Sequence, residues 1–248
     1  PDDTTETAPV NPMQAKAGPH QDYTAADMAL FAKVSWRLLP LLIICYVIAF
    51  LDRVNIGFAQ LQMKQTLPFS DAAYAFGAGV FFIGYFLFEV PSNLILERIG
   101  ARKTLLRIMF CWGIVASAMM FVQTTTQFYI LRFLLGAFEA GFFPGIILYL
   151  TYWFPSARRA KAIATFMTGA TIAYLIAGPV SGAILKYMDG VLGHHGWQWL
   201  FVLQGLPASI LGIVAFFYLD DKPEQAHWLS TNEKALLRSH IDNDAHVV

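Results

Sequence analysis

Apolar and polar positions alternate along this chain on the scale of whole segments. Uninterrupted hydrophobic windows of about 20 residues, the length that crosses a bilayer as a helix, lie near 37–59, 72–96, 104–123, 127–152, 160–186 and 197–219. Within each window the apolar residues run continuously, which predicts helices and speaks against the alternating strands of a membrane barrel. The fourth and fifth windows are divided by Trp153-Phe154-Pro155-Ser156-Ala157-Arg158-Arg159, where the proline and the basic pair forbid one continuous span. The pattern therefore predicts an all-α membrane protein with a six-helix domain over 37–219. Residues 1–22 are rich in Pro, Thr and Asp and lack the apolar core of a signal peptide, which predicts a disordered cytoplasmic tail. Residues 23–36 read as a short amphipathic lead-in opened by a Thr24-x-x-Asp27 capping pattern. Residues 220–248 are polar, with Ser230-x-x-Glu233 as the capping box of a short surface helix, and read as the start of a cytoplasmic central loop. The start at Pro1 and the polar ending predict an excerpt from a longer gene product.

Composition agrees: 56% of residues are hydrophobic and only 14% charged, far from the quarter-charged average of soluble domains. The 17 basic and 17 acidic residues cancel, so bulk charge gives no argument for nucleic acid. Their placement is informative. Lys16, Lys33, Arg37, then Arg98, Arg102, Lys103, Arg107, then Arg158, Arg159, Lys161, and finally Lys222, Lys234, Arg238 fall on one side of the predicted membrane. Only Lys64 and Lys186 fall on the other. By the positive-inside rule both ends of the chain are expected in the cytoplasm, and the aromatic start Gly196-Trp197-Gln198-Trp199 fits an outer interfacial belt. Cys45 and Cys111 lie in apolar runs without metal-ligand spacing and read as packing residues.

The chemistry lies in charges that the spans should exclude. Asp52 and Arg53 in the first window, and Arg132 and Glu139 in the fourth, each cost roughly 2.5–3.5 kcal/mol at mid-bilayer on insertion scales. They must therefore pair or face water. At ~1.5 Å per residue Asp52 lies ~22 Å from the inner end of its helix and Arg132 ~8 Å below the outer surface, so an Asp52–Arg132 contact is expected. A guanidinium with five fixed donors suits a carboxylate ligand, and a buried acid suits a proton carrier. Glu89 is a fifth ionisable group, read as gating. Phe50, Tyr85, Phe138, Phe142 and Tyr149 are expected around the arginines, able to face an aromatic acid or a hydroxylated sugar acid. Gly141/Gly145 and Gly178/Gly182, with Pro144 and Pro179, predict close helix packing and bends.

Two sets of residues resemble a known family. Glu97-Arg98-Ile99-Gly100-Ala101-Arg102-Lys103 resembles the loop between the second and third helices of major facilitator transporters, with Asn93 where the family has its first glycine and Glu97 where it has aspartate. Arg98, Gly100, Arg102 and Lys103 match. The stretches FLDRVNIG (50–57), GYFLFEVPSNL (84–94), YILRFLLGAFEAGFFPG (129–145), YWFP (152–155) and GWQWLF (196–201) are similar to the anion:cation symporter family, in its bacterial organic-acid and sugar-acid permease branch, over residues 36–235. A departure is Gln204, where many relatives carry glutamate. The resemblance implies one half of a major facilitator fold, built of two inverted three-helix repeats. It implies a proton-coupled importer of a small organic anion in the bacterial inner membrane, completed by a missing C-terminal six-helix half. Asp52 and Glu139 would carry protons; Arg53, Arg132, Asn55 and Tyr85 would bind substrate; Glu89, Glu97, Arg98, Gly100, Arg102 and Lys103 would gate. Protons are the coupling ion, and no cofactor or metal is expected.

Rival readings are an antiporter or exporter on the same fold, suggested by the partial motif Gly178-Pro179-Val180-Ser181-Gly182, a channel, and an intramembrane hydrolase. The hydrolase would need an activated nucleophile, but Ser181 lacks the nucleophile motif and His194 and His195 sit in a loop.

Overall fold

The computed structural model describes residues 23–245, so the expected tail at 1–22 lies outside the described residues. Among the described residues all regular structure is helical. The order is α1 (Ala25–Thr66), α2 (Asp71–Ile99), α3 (Ala101–Ala118), α4 (Thr125–Glu139), α5 (Phe142–Thr151), α6 (Ser156–Tyr187), α7 (Gly196–Tyr218) and α8 (Thr231–Ala245), with short 3-10 turns at 119–121, 191–193 and 223–225. Six spans result, α4 and α5 together making the fourth.

Two sequence expectations change. The lead-in and the first span form one helix of 42 residues, about 63 Å long at 1.5 Å per residue and so far longer than a bilayer core. The Thr24 cap forms at its head as expected: Thr24 Oγ1 accepts from the Asp27 backbone N–H at 3.2 Å, and the Asp27 carboxylate accepts from the Thr24 N–H at 2.7 Å. The fourth span, in contrast, is broken. Ala140 leaves the helical region (φ −56°, ψ 133°) and Gly141 is left-handed (φ 86°), so α4 ends at Glu139 and α5 restarts three residues later. Only glycine takes that φ without strain, and a Cβ there would also meet Ser92 Oγ at 2.5 Å.

The bundle packs in pairs: α3 lies along α7, α2 along α4, and α1 between α6 and α7. Small residues permit the close approaches. A Cβ on Gly136 of α4 would lie 1.9 Å from the Phe81 carbonyl oxygen of α2, and one on Gly113 of α3 would lie 2.6 Å from the Ser209 nitrogen of α7. The contact-making glycines are mostly not those singled out by spacing, since Gly178 and Gly182 have nothing within 4 Å. The interior is filled by aromatic rings, among them Trp112, Phe166 and the stacked pair Tyr46–Phe166 at 4.5 Å.

One end of the bundle is strapped by the segment after α7. Glu233 on α8 pairs with Lys33 at 2.8 Å, His240 meets Asp27 at 2.7 Å, and the Asp244 carboxylate accepts from the Ser156 backbone N–H at 2.8 Å. Trp228 stacks on Trp153 at 5.6 Å. These contacts tie α8 to the heads of α1 and α6. The second predicted cap also forms, Ser230 Oγ accepting from the Glu233 N–H at 3.2 Å.

Candidate functional site

The four intramembrane charges converge where α1, α3 and α4 meet with α2. Asp52 and Arg53 are neighbours in sequence and therefore point about 100° apart round the helix axis. That separation sends them to different partners. Asp52, 1% exposed, turns to α3: its Oδ2 accepts from Trp112 Nε1 at 2.6 Å and its Oδ1 from Asn55 Nδ2 at 2.9 Å. Arg53 turns to α4, where its Nη2 pairs with Glu139 Oε1, a carboxylate with no exposure that sits on the last residue before the helix break.

The expected Asp52–Arg132 contact does not form. Arg132, 2% exposed, makes no ion pair among the described residues; its Nη2 donates to the Ala78 carbonyl of α2 at 3.4 Å, while Nε and Nη1 have no partner among them. Glu139 Oε2 and Asn55 Oδ1 are likewise buried without a partner. Arg132 and Glu139 lie on one face of α4 with Gly136 between them, and Gly136 brings that face directly onto the α2 backbone.

Aromatic faces frame both guanidinium groups. Arg53 Cζ lies 5.5 Å from the Tyr85 ring and 5.7 Å from those of Phe50 and Phe81, and Arg132 Cζ lies 5.0 Å from Phe81. Such distances give cation–π attraction, which holds a cation without neutralising it. Phe50 packs edge-on against Tyr174 of α6 at 5.3 Å, and Tyr174 is 64% exposed, so the aromatic wall runs from the buried charges to an open face. Formally the four groups sum to zero, but contacts are uneven: one closed ion pair, one carboxylate held by neutral donors, and one cation with unused donors.

A chain-wide likeness agrees with this geometry. Residues 42–244 match the profile of the Major Facilitator Superfamily. The chain belongs to that family. It is 53% identical over 225 residues to the "Putative metabolite transport protein NicT" of Pseudomonas putida, covering 91% of this chain and 52% of that protein. It is 56% identical over 208 residues to a "Putative tartrate transporter" of Agrobacterium vitis (84% and 46% covered). It is 48% identical over 211 residues to the "Quinolone resistance transporter" of Acinetobacter baumannii (85% and 48% covered). The chain thus spans about half the length of the curated relatives it matches. Among solved structures it is similar to the partially occluded, inward-open xylose transporter XylE of E. coli, with TM-score 0.68 at 14% identity, covering 86% of this chain and 57% of that one, a likeness of fold. The chain is accordingly a multi-pass membrane domain of the Major Facilitator Superfamily.

Other expected site residues fall in three places. Asn55 and Tyr85 join the charge cluster. Glu89 is half-buried one turn beyond Tyr85 on α2 and makes no hydrogen bond or ion pair among the described residues. The motif at 97–103 lies at the strapped end of the bundle, outside the cluster. Glu97, Arg98 and Lys103 are exposed there and form no ion pair among the described residues. Arg102 is anchored: its backbone N–H donates to Asp221 Oδ1 at 2.8 Å and its Nε to the Phe216 carbonyl at 2.9 Å, with Gly100 packed directly against the Asp221 carboxyl. One aromatic expectation is corrected. Tyr149 is fully buried away from Arg53 and Arg132 and donates its hydroxyl to the Asp220 carbonyl at 2.7 Å at the strapped end. Phe142 is buried beside the cluster, edge-on to Trp112 at 5.7 Å. Ser181 is fully buried within α6 and accepts from Gln204 Nε2 at 3.0 Å, whereas His194 and His195 are caps in the connection before α7. Trp112 is the site residue the sequence reading missed, because a tryptophan in an apolar helix looks like core until its N–H is seen to meet a carboxylate.

Proposed function

We propose that this chain is the N-terminal half of a proton-coupled importer of a small organic anion, working by alternating access with a second set of six helices. The observation that carries the reading is Arg132, a buried guanidinium whose Nε and Nη1 donate to nothing. An anion supplies what those donors lack, and a carboxylate matches their fork. Protonation of Glu139 would release Arg53 to join Arg132 on the substrate. An anion arriving with as many protons as it has negative charges, one for a monocarboxylate and two, on Asp52 and Glu139, for a dicarboxylate, leaves the site's formal charge at zero, and occluding a neutral site avoids the cost of desolvating an uncompensated charge. Relatives named for tartrate and for metabolite transport support an organic acid as cargo. Their bacterial sources, with the Lys and Arg distribution, support the inner membrane with both ends of this chain in the cytoplasm. In this reading Glu89 and the 97–103 motif gate the path at its cytoplasmic end.

The alternative is an exporter driven by proton exchange, which the relative named for quinolone resistance favours. Proteoliposomes containing the native-length protein separate the two. With an alkaline interior, L-tartrate or an aromatic carboxylate accumulates under the importer reading, and Glu139→Gln abolishes accumulation while retaining substrate exchange. Accumulation driven only by an acidic interior refutes import.

A further inference from the structure

The Asp52 carboxylate is held by two donors of different kinds. The indole N–H of Trp112 can only donate, and it reaches Oδ2 at 2.6 Å. The carboxamide of Asn55 can donate or accept, and it now donates to Oδ1 at 2.9 Å, while its own carbonyl oxygen is buried without a partner. A carboxylate accepts only, so this orientation of the amide belongs to the ionised state.

Resting on the reading that Asp52 carries a coupling proton, we propose that Trp112 is a positioning residue that directs this proton to Oδ1, where the Asn55 amide turns over to accept it. A carbonyl oxygen accepts a hydrogen bond better than a hydroxyl oxygen does, so the indole favours the form in which Oδ2 remains the carbonyl. The proton then forms its O–H bond at Oδ1. That hydroxyl needs an acceptor, and a half-turn of the near-symmetric amide replaces Nδ2–H···Oδ1 with Oδ1–H···O=C. No other bond breaks. Asn55 Oδ1, an orphan in the ionised state, gains its partner in the protonated one as Nδ2 gives its own up, so the amide keeps one hydrogen bond to Asp52 in either state.

The charged groups around this carboxyl are Arg53 on α1 and Arg132 and Glu139 on α4. Of the titratable side chains on the packed elements, Tyr74 of α2 donates to the Ile56 carbonyl, Tyr85 of α2 lies against Arg53, and Tyr174 of α6 lies against Phe50. α7 carries no ionisable side chain except Tyr218 at its last residue. Among the described residues none of these hydrogen-bonds to Asp52, so Trp112 and Asn55 are the two groups that distinguish its oxygens by hydrogen bonding.

The test is difference infrared spectroscopy of the native-length protein across a pH step. The protonated carboxyl band that disappears in Asp52→Asn is expected to move to higher wavenumber in Trp112→Phe, because its carbonyl oxygen has lost its donor. Proton-driven uptake in that variant is expected to fall about tenfold, the equivalent of one hydrogen bond to a charged group. A band that stays in place in a folded Trp112→Phe protein overturns the assignment. If that variant does not fold, indole ¹⁵N–¹H spectra of Asp52→Asn decide: one indole resonance must move relative to wild type, and an unchanged set overturns the contact. A wild-type protein with no band sensitive to Asp52→Asn refutes proton carriage by Asp52 itself, a failure distinguishable from that of Trp112.

Discussion

Replacing Gly136 by alanine tests whether the site depends on direct backbone contact between α2 and α4. The new Cβ would lie 1.9 Å from the Phe81 carbonyl oxygen and 2.9 Å from the Tyr85 nitrogen, and both are backbone atoms that cannot rotate away. Ordinary contact begins near 3.4 Å, so the two helices must part by about 1.5 Å at this point. Overpacking of this kind costs typically about 1–3 kcal/mol, against which the better helix propensity of alanine returns about 1. Gly136 lies between Arg132 and Glu139, so the same displacement carries both away from Phe81 and Tyr85. A lower unfolding temperature in detergent and weaker substrate binding are expected together. Gly178→Ala is the control, since nothing lies within 4 Å of it and only the propensity gain remains. Thermal unfolding of the native-length protein monitored by intrinsic fluorescence reads both variants. Equal shifts for Gly136→Ala and Gly178→Ala, or a stabilised Gly136→Ala, would refute the reasoning.

Two further outcomes follow from the contacts. Arg132→Lys keeps the charge but replaces the two free guanidinium donors by one ammonium, so carboxylate affinity should fall by the worth of one charge-assisted hydrogen bond, about 1.5–3 kcal/mol or roughly 10- to 150-fold in Kd; titration calorimetry with L-tartrate or an aromatic carboxylate, whichever is taken up, checks this, and affinity kept within twofold would place the anion elsewhere. At the strapped end, ten residues ahead of the first apolar span, hydrogen bonds from His240 and then Thr24 hold the Asp27 carboxyl down at about 2, and Lys33 holds Glu233 below the usual carboxylate range. Both are depressed in the folded state, so their support for docked α8 is complete above the unfolded carboxylate range near pH 4 and, for Asp27, is lost as pH falls towards 2. Hydrogen exchange at low pH should deprotect α8 before α1–α7, and simultaneous loss of protection would show that the strap does not depend on these carboxylates.

The six spans were legible because the bilayer imposes a length and a composition that local sequence must satisfy alone. The four intramembrane charges were legible for the same reason, as costs that no structural role explains. Their pairing was not, and the miss is instructive. Depth along the helix axis matched Asp52 to Arg132, but the 100° between Asp52 and Arg53 decides which neighbour each meets, and that angle carries no information until the positions of α3 and α4 are known. Trp112 was invisible for a related reason, since its role depends on one N–H group reaching across to another helix. The break after Glu139 lay half in view: the glycines and Pro144 announced a bend, whereas only the left-handed backbone at Gly141 shows that the helix stops.

That stop has a consequence for how the site moves. A discontinuous span confines Glu139 to the end of α4, while α5, restarting at Phe142, is fastened to the strapped end through Tyr149 and the Trp153–Trp228 stack. α1 runs unbroken from the same strap to Asp52 and Arg53, tied at its head by Asp27 and Lys33. The Arg53–Glu139 pair therefore bridges a continuous helix and the loose end of a broken one. It is the ion pair of the cluster, and protonation of a single carboxylate can open it while both helices keep their own backbone hydrogen bonds. Under the proposed alternating access, rotation at Ala140 and Gly141 is the local freedom by which α4 would shift relative to α1, and the ion pair is the restraint on it.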